Sequence, residues 1–233
     1  MVGWPTAKGW SMPESSDHGG IHHRRRGDPA RTLFPSDYPA ELECEIVTRA
    51  GTPMTMRPII ADDSRKLTQF HRLLSPTSVY RRYFYLHPEL SRKEIHHLTE
   101  VDYVARLAMV VEHAGQLVAV GRYDRYPGTV RAEVAFVVAD AYQHLGLGTQ
   151  LLEHLAGAAR RTGITVFEAT VLVENREMLD VFRSSGYPQV TTNDTGVISV
   201  RMSITPDGEP RAGDAGPLAL PGPPPHDQAG LTR

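Results

Sequence analysis

Two glycines, Gly146 and Gly148, stand in "YQHLGLGTQLL" where the apolar run "AEVAFVVAD" hands over to a helical pattern. Glycine costs backbone entropy, so this placement implies a sharp bend or the close approach of another group. The first amides of a helix have no intrahelical acceptor, and with the helix dipole they form a ready anion site. Backbone N–H groups of Leu145, Gly146, Leu147, Gly148 and Thr149 would face such an anion, with Gln143 and His144 leading into the turn. Upstream, Glu133 is the acidic residue in a β-prone run, in phase with Ala135 and Val137. A carboxylate on an otherwise apolar line is partly desolvated, which raises its pKa toward that of a useful base. Glu168 and Glu174 are the fallback carboxylates.

Other chemistry fits poorly. No G-x-x-x-x-G-K-S/T is present, and the G-x-G lacks the third glycine of a dinucleotide fingerprint. His96 and His97 adjoin on a helix without the HExxH spacing or a carboxylate that would support a metal. The single cysteine, Cys44, excludes an internal disulfide and reads as a small packing residue in a chain suited to a reducing cytoplasm. A net charge of −2 and a pI of about 6.6 argue against a nucleic-acid binder. No apolar run is long enough for a membrane helix, and no secretory leader is evident at the N-terminus.

The elements that must carry these residues follow from periodicity. "ECEIVTRAGTPMTMRPI" reads as a hairpin turning at Arg49-Ala50-Gly51. Asp62 or Asp63 is expected to cap a helix through Leu67, Phe70 and Leu74. Ser75 caps a second helix with Pro76 at its first position, and Ser91 with Glu94 forms a capping box for a third. Three strands follow, "RLAMVVEHA", "QLVAVGRYD" and "RAEVAFVVA", joined by turns short enough for antiparallel pairing. A long helix with Leu147, Leu151, Leu155 and Ala158 on one face runs to Arg161 and stops at Gly163. Then come the strand "ITVFEATVLV", a helix capped by Asn175, and two closing strands. The order predicts a mixed α/β layer fold, a largely antiparallel sheet flanked by helices. One domain is expected over residues 41–204. Residues 1–40 and 205–233, rich in Pro and Gly and without period, are expected to be disordered tails. The run His22 to Arg26 is read as solvated tail rather than a metal or contact patch.

With its position after the third of those strands, the segment Gln143 to Thr149 resembles the Q/R-x-x-G-x-G/A motif of the GNAT superfamily of acyl-CoA-dependent N-acyltransferases. "NREMLDVFRSSGY", from Asn175 to Tyr187, is similar to the second segment of that family. The resemblance covers residues 55–204. It implies the GNAT fold, acetyl-CoA as cosubstrate, and the diphosphate on the glycine turn. It also implies a main-chain N–H near Val137 or Val138 for the acyl oxygen, and Asn175 on the pantetheine arm. For Asn175 a plain helix cap is an equal and compatible reading. Family members of this type place a basic glutamate where Glu133 stands. Many carry a tyrosine as general acid seven residues after the asparagine; here that residue is Phe182, a core or cofactor-wall side chain with no proton to give.

"SPTSVYRRYFYLHPELSRKEIHHLTEVDYVARLAMVV" further resembles bacterial Pat-type protein lysine acetyltransferases. That likeness implies transfer to a protein lysine, with an AMP-forming acyl-CoA synthetase as the partner of that type. Relatives often carry a fused regulatory domain, for which these 233 residues have no room. Two other readings keep part of the chemistry: acetylation of a small amine, or a catalytically silent acyl-CoA-binding module.

Overall fold

The computed structural model describes residue 35 and residues 37–205. The His22 to Arg26 run and nearly all of both expected tails lie outside the described residues. The chain forms eight strands and five α-helices among the described residues. They are β1 (Cys44–Val47), β2 (Pro53–Pro58), α1 (Ser64–Leu73), α2 (Pro76–Tyr83), α3 (Arg92–Thr99), β3 (Arg106–His113), β4 (Gln116–Arg125) and β5 (Arg131–Val138). After these come α4 (Leu147–Arg161), β6 (Val166–Leu172), α5 (Arg176–Ser184), β7 (Gln189–Asp194) and β8 (Val197–Ser203). The strands make one sheet in the order β1-β2-β3-β4-β5-β6-β8-β7. Every neighbouring pair is antiparallel except β5 and β6.

The layers follow from alternation along the central strands. On β3, Leu107, Met109 and Val111 join α4 through Leu151 and Leu155, while Ala108 and Val110 join Leu67, Phe70, Val79 and Leu98 of the first three helices. Both faces of the sheet are therefore covered, which is why β3 reads as a continuous apolar run. The expected face of α4 (Leu147, Leu151, Leu155 and Ala158) is buried throughout. No helix among the described residues is long and apolar enough to cross a membrane.

Local signals act mostly where expected. The Ser75 side chain accepts the Ser78 N–H ahead of Pro76, and Ser91 and Glu94 exchange both bonds of a capping box. At Gly163 and Ile164 the N–H groups close the end of α4 onto the carbonyls of Arg160 and Ala159. Asp63 differs. It stands at the start of α1 but makes no side-chain cap. Its carboxylate is held by two Arg57 nitrogens at 2.7 Å each and accepts the Ile60 N–H at 3.0 Å. The charged bidentate Arg57 pair fixes the carboxylate, and the first-turn amides of α1 donate nothing to it. At the N-terminal boundary, Tyr38 hydrogen-bonds Glu43 and lies edge-on to Tyr103 with centroids 5.9 Å apart.

Candidate active site

The parallel ladder between β5 and β6 lasts for three residue pairs, from Arg131–Val166 to Glu133–Glu168. Beyond it β5 runs on to Val138 and β6 to Leu172, so the two strands part and leave a wedge in the sheet. Backbone direction on β5 can be read from bonds at its ends. The Val130 carbonyl serves the β6 side through Thr165 and Val166, while the Ala139 N–H serves β4 through Val118. Alternation then turns the amide of Val138 toward the wedge and that of Val137 toward β4.

A cleft of about 550 Å³ opens from this wedge. Its walls come from the end of β5, the turn after it, the start of α4, and α2 facing α5. Val137, Val138, Gln143, His144, Gly146, Leu147, Gly148, Thr149 and Asn175 all line it. Leu145 and Phe182 do not. Leu145 packs half-buried against the core, and Phe182, 2% exposed, sets its ring at 62° to Phe136.

The turn holding the two glycines has left-handed backbone at His144 (φ 63°) and Gly146 (φ 86°). Gly146 is the N-cap of α4 and no side chain caps the helix there. The first-turn amides of Leu147, Gly148 and Thr149 are thus left facing the cleft without intrahelical acceptors. That arrangement fits a diphosphate. Gly148 has a second reason: a Cβ there would lie 3.3 Å from Val181 Cγ2, so the glycine also lets α5 pack close to α4.

The neighbouring groups hold the turn in place. Gln143 Nε2 donates to the Val138 carbonyl (3.2 Å) and the Ser78 hydroxyl (3.1 Å). Asp140 accepts from the Ser75 N–H and from the hydroxyls of Ser75 and Ser78, which fastens α2 to the loop. Burial pushes the Asp140 carboxyl up, but those hydrogen bonds outweigh it and hold the carboxyl below its usual range. Asn175 caps α5 by accepting the Met178 N–H at 3.3 Å, and it also lines the cleft.

Glu133 lies in a smaller recess of about 40 Å³ that shares Arg81, Arg82, Phe136, Asn175 and Met178 with the cleft. Its surroundings correct the sequence-based picture of an apolar line. Register places Asp124 of β4 on one side of Glu133 and Glu168 of β6 on the other. The row extends to Arg106 opposite Asp124 and to Arg201 opposite Glu168. Both flanking carboxylates carry two arginines each: Arg106 and Arg122 for Asp124, Arg131 and Arg201 for Glu168. Glu133, between them, makes no hydrogen bond or ion pair among the described residues. Burial pushes its carboxyl above the usual range; Arg82 and Arg122 pull it down, and Asp124 and Glu168 add to the rise. Glu168 is buried in its two ion pairs, and Glu174 is exposed.

His96 is exposed and pairs with Glu100, while His97 is pushed down to about 4 by burial and by the charges of Arg106 and Arg122. Cys44 lies 3.3 Å from His154 Nε2, and burial raises its thiol. Sequence reasoning missed the cleft's cationic wall, Arg49, Arg81 and Arg82. The "RR" at the end of α2 was a visible signal; Arg49 gave none beyond its place in a turn.

Comparison with known proteins gives the family. The sequence pattern of the Acetyltransferase (GNAT) family matches residues 68–187. The GNAT domain of S. lividans PAT is 38% identical, with a TM-score of 0.68 over 71% of this chain and 99% of that one. An acetyltransferase of Pseudomonas aeruginosa is 31% identical over 59% of this chain and 76% of its own length. The acetyltransferase Pat of Mycolicibacterium smegmatis is 29% identical over 69% of this chain, which spans about half of that protein (49%). The chain belongs to the GNAT family of acetyltransferases, whose acyl donor is acetyl-CoA.

Proposed function

We propose that this protein transfers the acetyl group of acetyl-CoA to the ε-amine of a protein lysine, with Glu133 as general base. The observation that carries the reading is Glu133 itself: a carboxylate raised above its usual range, with no hydrogen bond or ion pair among the described residues, in the recess beside the cleft. When bound, acetyl-CoA supplies an activated acetyl thioester. The first-turn amides of α4 hold its diphosphate, the Val138 N–H meets the acyl oxygen in the wedge, and Asn175 borders the pantetheine arm.

A lysine amine free in water titrates at about 10.4 and is almost wholly protonated near neutrality. Glu133 takes its proton, directly or through one water, and so frees the lone pair that bonds to the acetyl carbon. The leaving sulfur needs a proton in return. Phe182 has none, and we assign no side chain to that step.

The lysine acceptor is supported by likeness to the GNAT domain of S. lividans PAT and by the Pat-type segment from Ser75 to Val111. An AMP-forming acyl-CoA synthetase in a reducing cytoplasm is the partner this reading favours. The test incubates the protein with acetyl-CoA and purified synthetases, and in parallel with amino acids and polyamines. Acetyl-lysines are mapped by mass spectrometry and thiol release is followed. Acetylated lysines on a synthetase are expected. Transfer to small amines alone overturns the acceptor, and no transfer at all reduces the protein to a binding module.

A further inference from the structure

The turn between β1 and β2 brings Arg49 to the cleft wall beside the start of α4, outside the segment that matches the family pattern. Thr48 ties it down three times. Its carbonyl accepts the Gly51 N–H (2.9 Å), its N–H donates to the Thr52 carbonyl (3.0 Å), and its hydroxyl accepts the Thr52 N–H (3.0 Å). Gly51 at φ 82° completes a tight turn with Arg49 at its first corner.

Two more bonds fix that corner to the start of α4. The Arg49 N–H donates to the Leu145 carbonyl at 3.0 Å, and Gln150 Nε2 donates to the Val47 carbonyl at 3.2 Å. The Arg49 side chain then crosses Gly146: a Cβ at 146 would lie 3.3 Å from both its Cγ and its Nε. So Gly146 leaves room for an arginine as well as for an anion.

The charge of Arg49 is uncommitted. Its side chain makes no ion pair or hydrogen bond among the described residues, and it is exposed on the cleft wall. Carboxylates on the opposite wall already have cations: Glu177 holds Arg81 at 3.3 Å, and Asp180 holds Arg183 at 3.1 Å. A full positive charge therefore stands beside amides that carry only the partial charge of a helix end. A guanidinium is the side chain best shaped to take two phosphate oxygens at once.

We propose that Arg49 binds a phosphate of the CoA nucleotide, which makes the N-terminal hairpin part of the donor site. It would favour acyl-CoA over acyl groups carried on pantetheine without the nucleotide. The CoA diphosphate and the 3′-phosphate share this chemistry, and the ligands in the test separate them.

Calorimetry on the full chain measures binding of CoA and of 3′-dephospho-CoA to the wild type, Arg49→Ala, Arg49→Gln and Arg49→Lys. Arg49→Ala and Arg49→Gln are each expected to weaken CoA about tenfold at low salt, with Arg49→Lys in between. The loss should shrink as salt rises, because exposed charges are screened. If the loss disappears with 3′-dephospho-CoA, the contact is the 3′-phosphate; if it persists, the contact is the diphosphate. Binding of CoA within twofold of wild type in both Arg49→Ala and Arg49→Gln overturns the proposal. Melting without ligand checks the fold, and Arg49→Gln keeps the test open should Arg49→Ala fail to fold. No acceptor enters the assay, so the outcome is independent of the lysine reading.

Discussion

Gly121 lies within β4, directly across from Phe136 of β5, and the site depends on how closely those two strands pack under α4. A Cβ at 121 would stand 2.9 Å from Phe136 Cδ1 and 3.1 Å from both Phe136 Cε1 and Leu155 Cδ1. Carbon contacts prefer about 3.5–4.0 Å, so Gly121→Ala makes three contacts each too short by roughly half an ångström. The Phe136 ring has Phe182 behind it at 6.1 Å between centroids, and Leu155 is fully buried. Overpacking of this kind costs about 1–3 kcal/mol, while alanine regains about 0.4–1 kcal/mol by restricting the unfolded chain. The net loss is about 1–2 kcal/mol, a fall in Tm of roughly 2–8 °C for a domain of this size. Phe136 also lines both the cleft and the recess, so the displaced ring should weaken acetyl-CoA binding several-fold. Thermal melting by circular dichroism, with and without acetyl-CoA, reads both effects. Phe136→Leu should cost less in the Gly121→Ala background than alone, because the smaller side chain relieves the clash. A Gly121→Ala protein that melts at or above the wild-type temperature refutes the reasoning.

Glu133→Gln is expected to lower turnover by about a hundredfold or more, and to remove an acid limb lying above the ordinary carboxylate range. The folded protein binds this proton more tightly than the unfolded chain, so wild-type stability should fall relative to Glu133→Gln as pH rises from the ordinary carboxylate value through the raised one. Profiles of rate and of melting against pH that run parallel in the two proteins would rule the assignment out. Gly148→Val should abolish acetyl-CoA binding by calorimetry and also cost stability, since its side chain meets Val181; unaltered affinity would sink the cradle. A chain of residues 35–205 should melt a few degrees above one of residues 41–205, because only the longer keeps the Tyr38–Tyr103 ring pair, worth about 0.5–1.5 kcal/mol. Equal melting would show that Tyr38 contributes nothing to the fold.

Local chemistry was legible because its causes are local. Ser75 and Ser91 with Glu94 lie within a few residues of the groups they satisfy, and the two glycines, at the N-cap and in the first turn of α4, stand in the turn they shape. What escaped depends on partners far along the chain. Asp63 looks like a cap in "ADDSRK", yet Arg57 holds it in a network that reaches Glu112 on β3. Arg49 looks like an ordinary turn residue, and nothing near it announces that the turn docks on Leu145. Phe182 announced only what it lacks, a proton; its packing on Phe136 required the helix and strand to be brought together.

Glu133 is the case where both kinds of information meet. Alternation along β5 fixed its face, but its apolar line is true only along the strand. Across the sheet it is the middle of five consecutive charged residues, Arg106, Asp124, Glu133, Glu168 and Arg201, one from each of β3, β4, β5, β6 and β8. Its pairing with Glu168 is the last rung of the parallel ladder, and like charges at facing positions disfavour pairing. Arginines on either side hold Asp124 and Glu168 in ion pairs, while burial raises the central carboxylate above its usual range. Where that rung ends, the strands part, and the wedge between them is where the Val138 amide faces the cleft. The carboxylate proposed as base and the opening beside it thus share one position in the sheet.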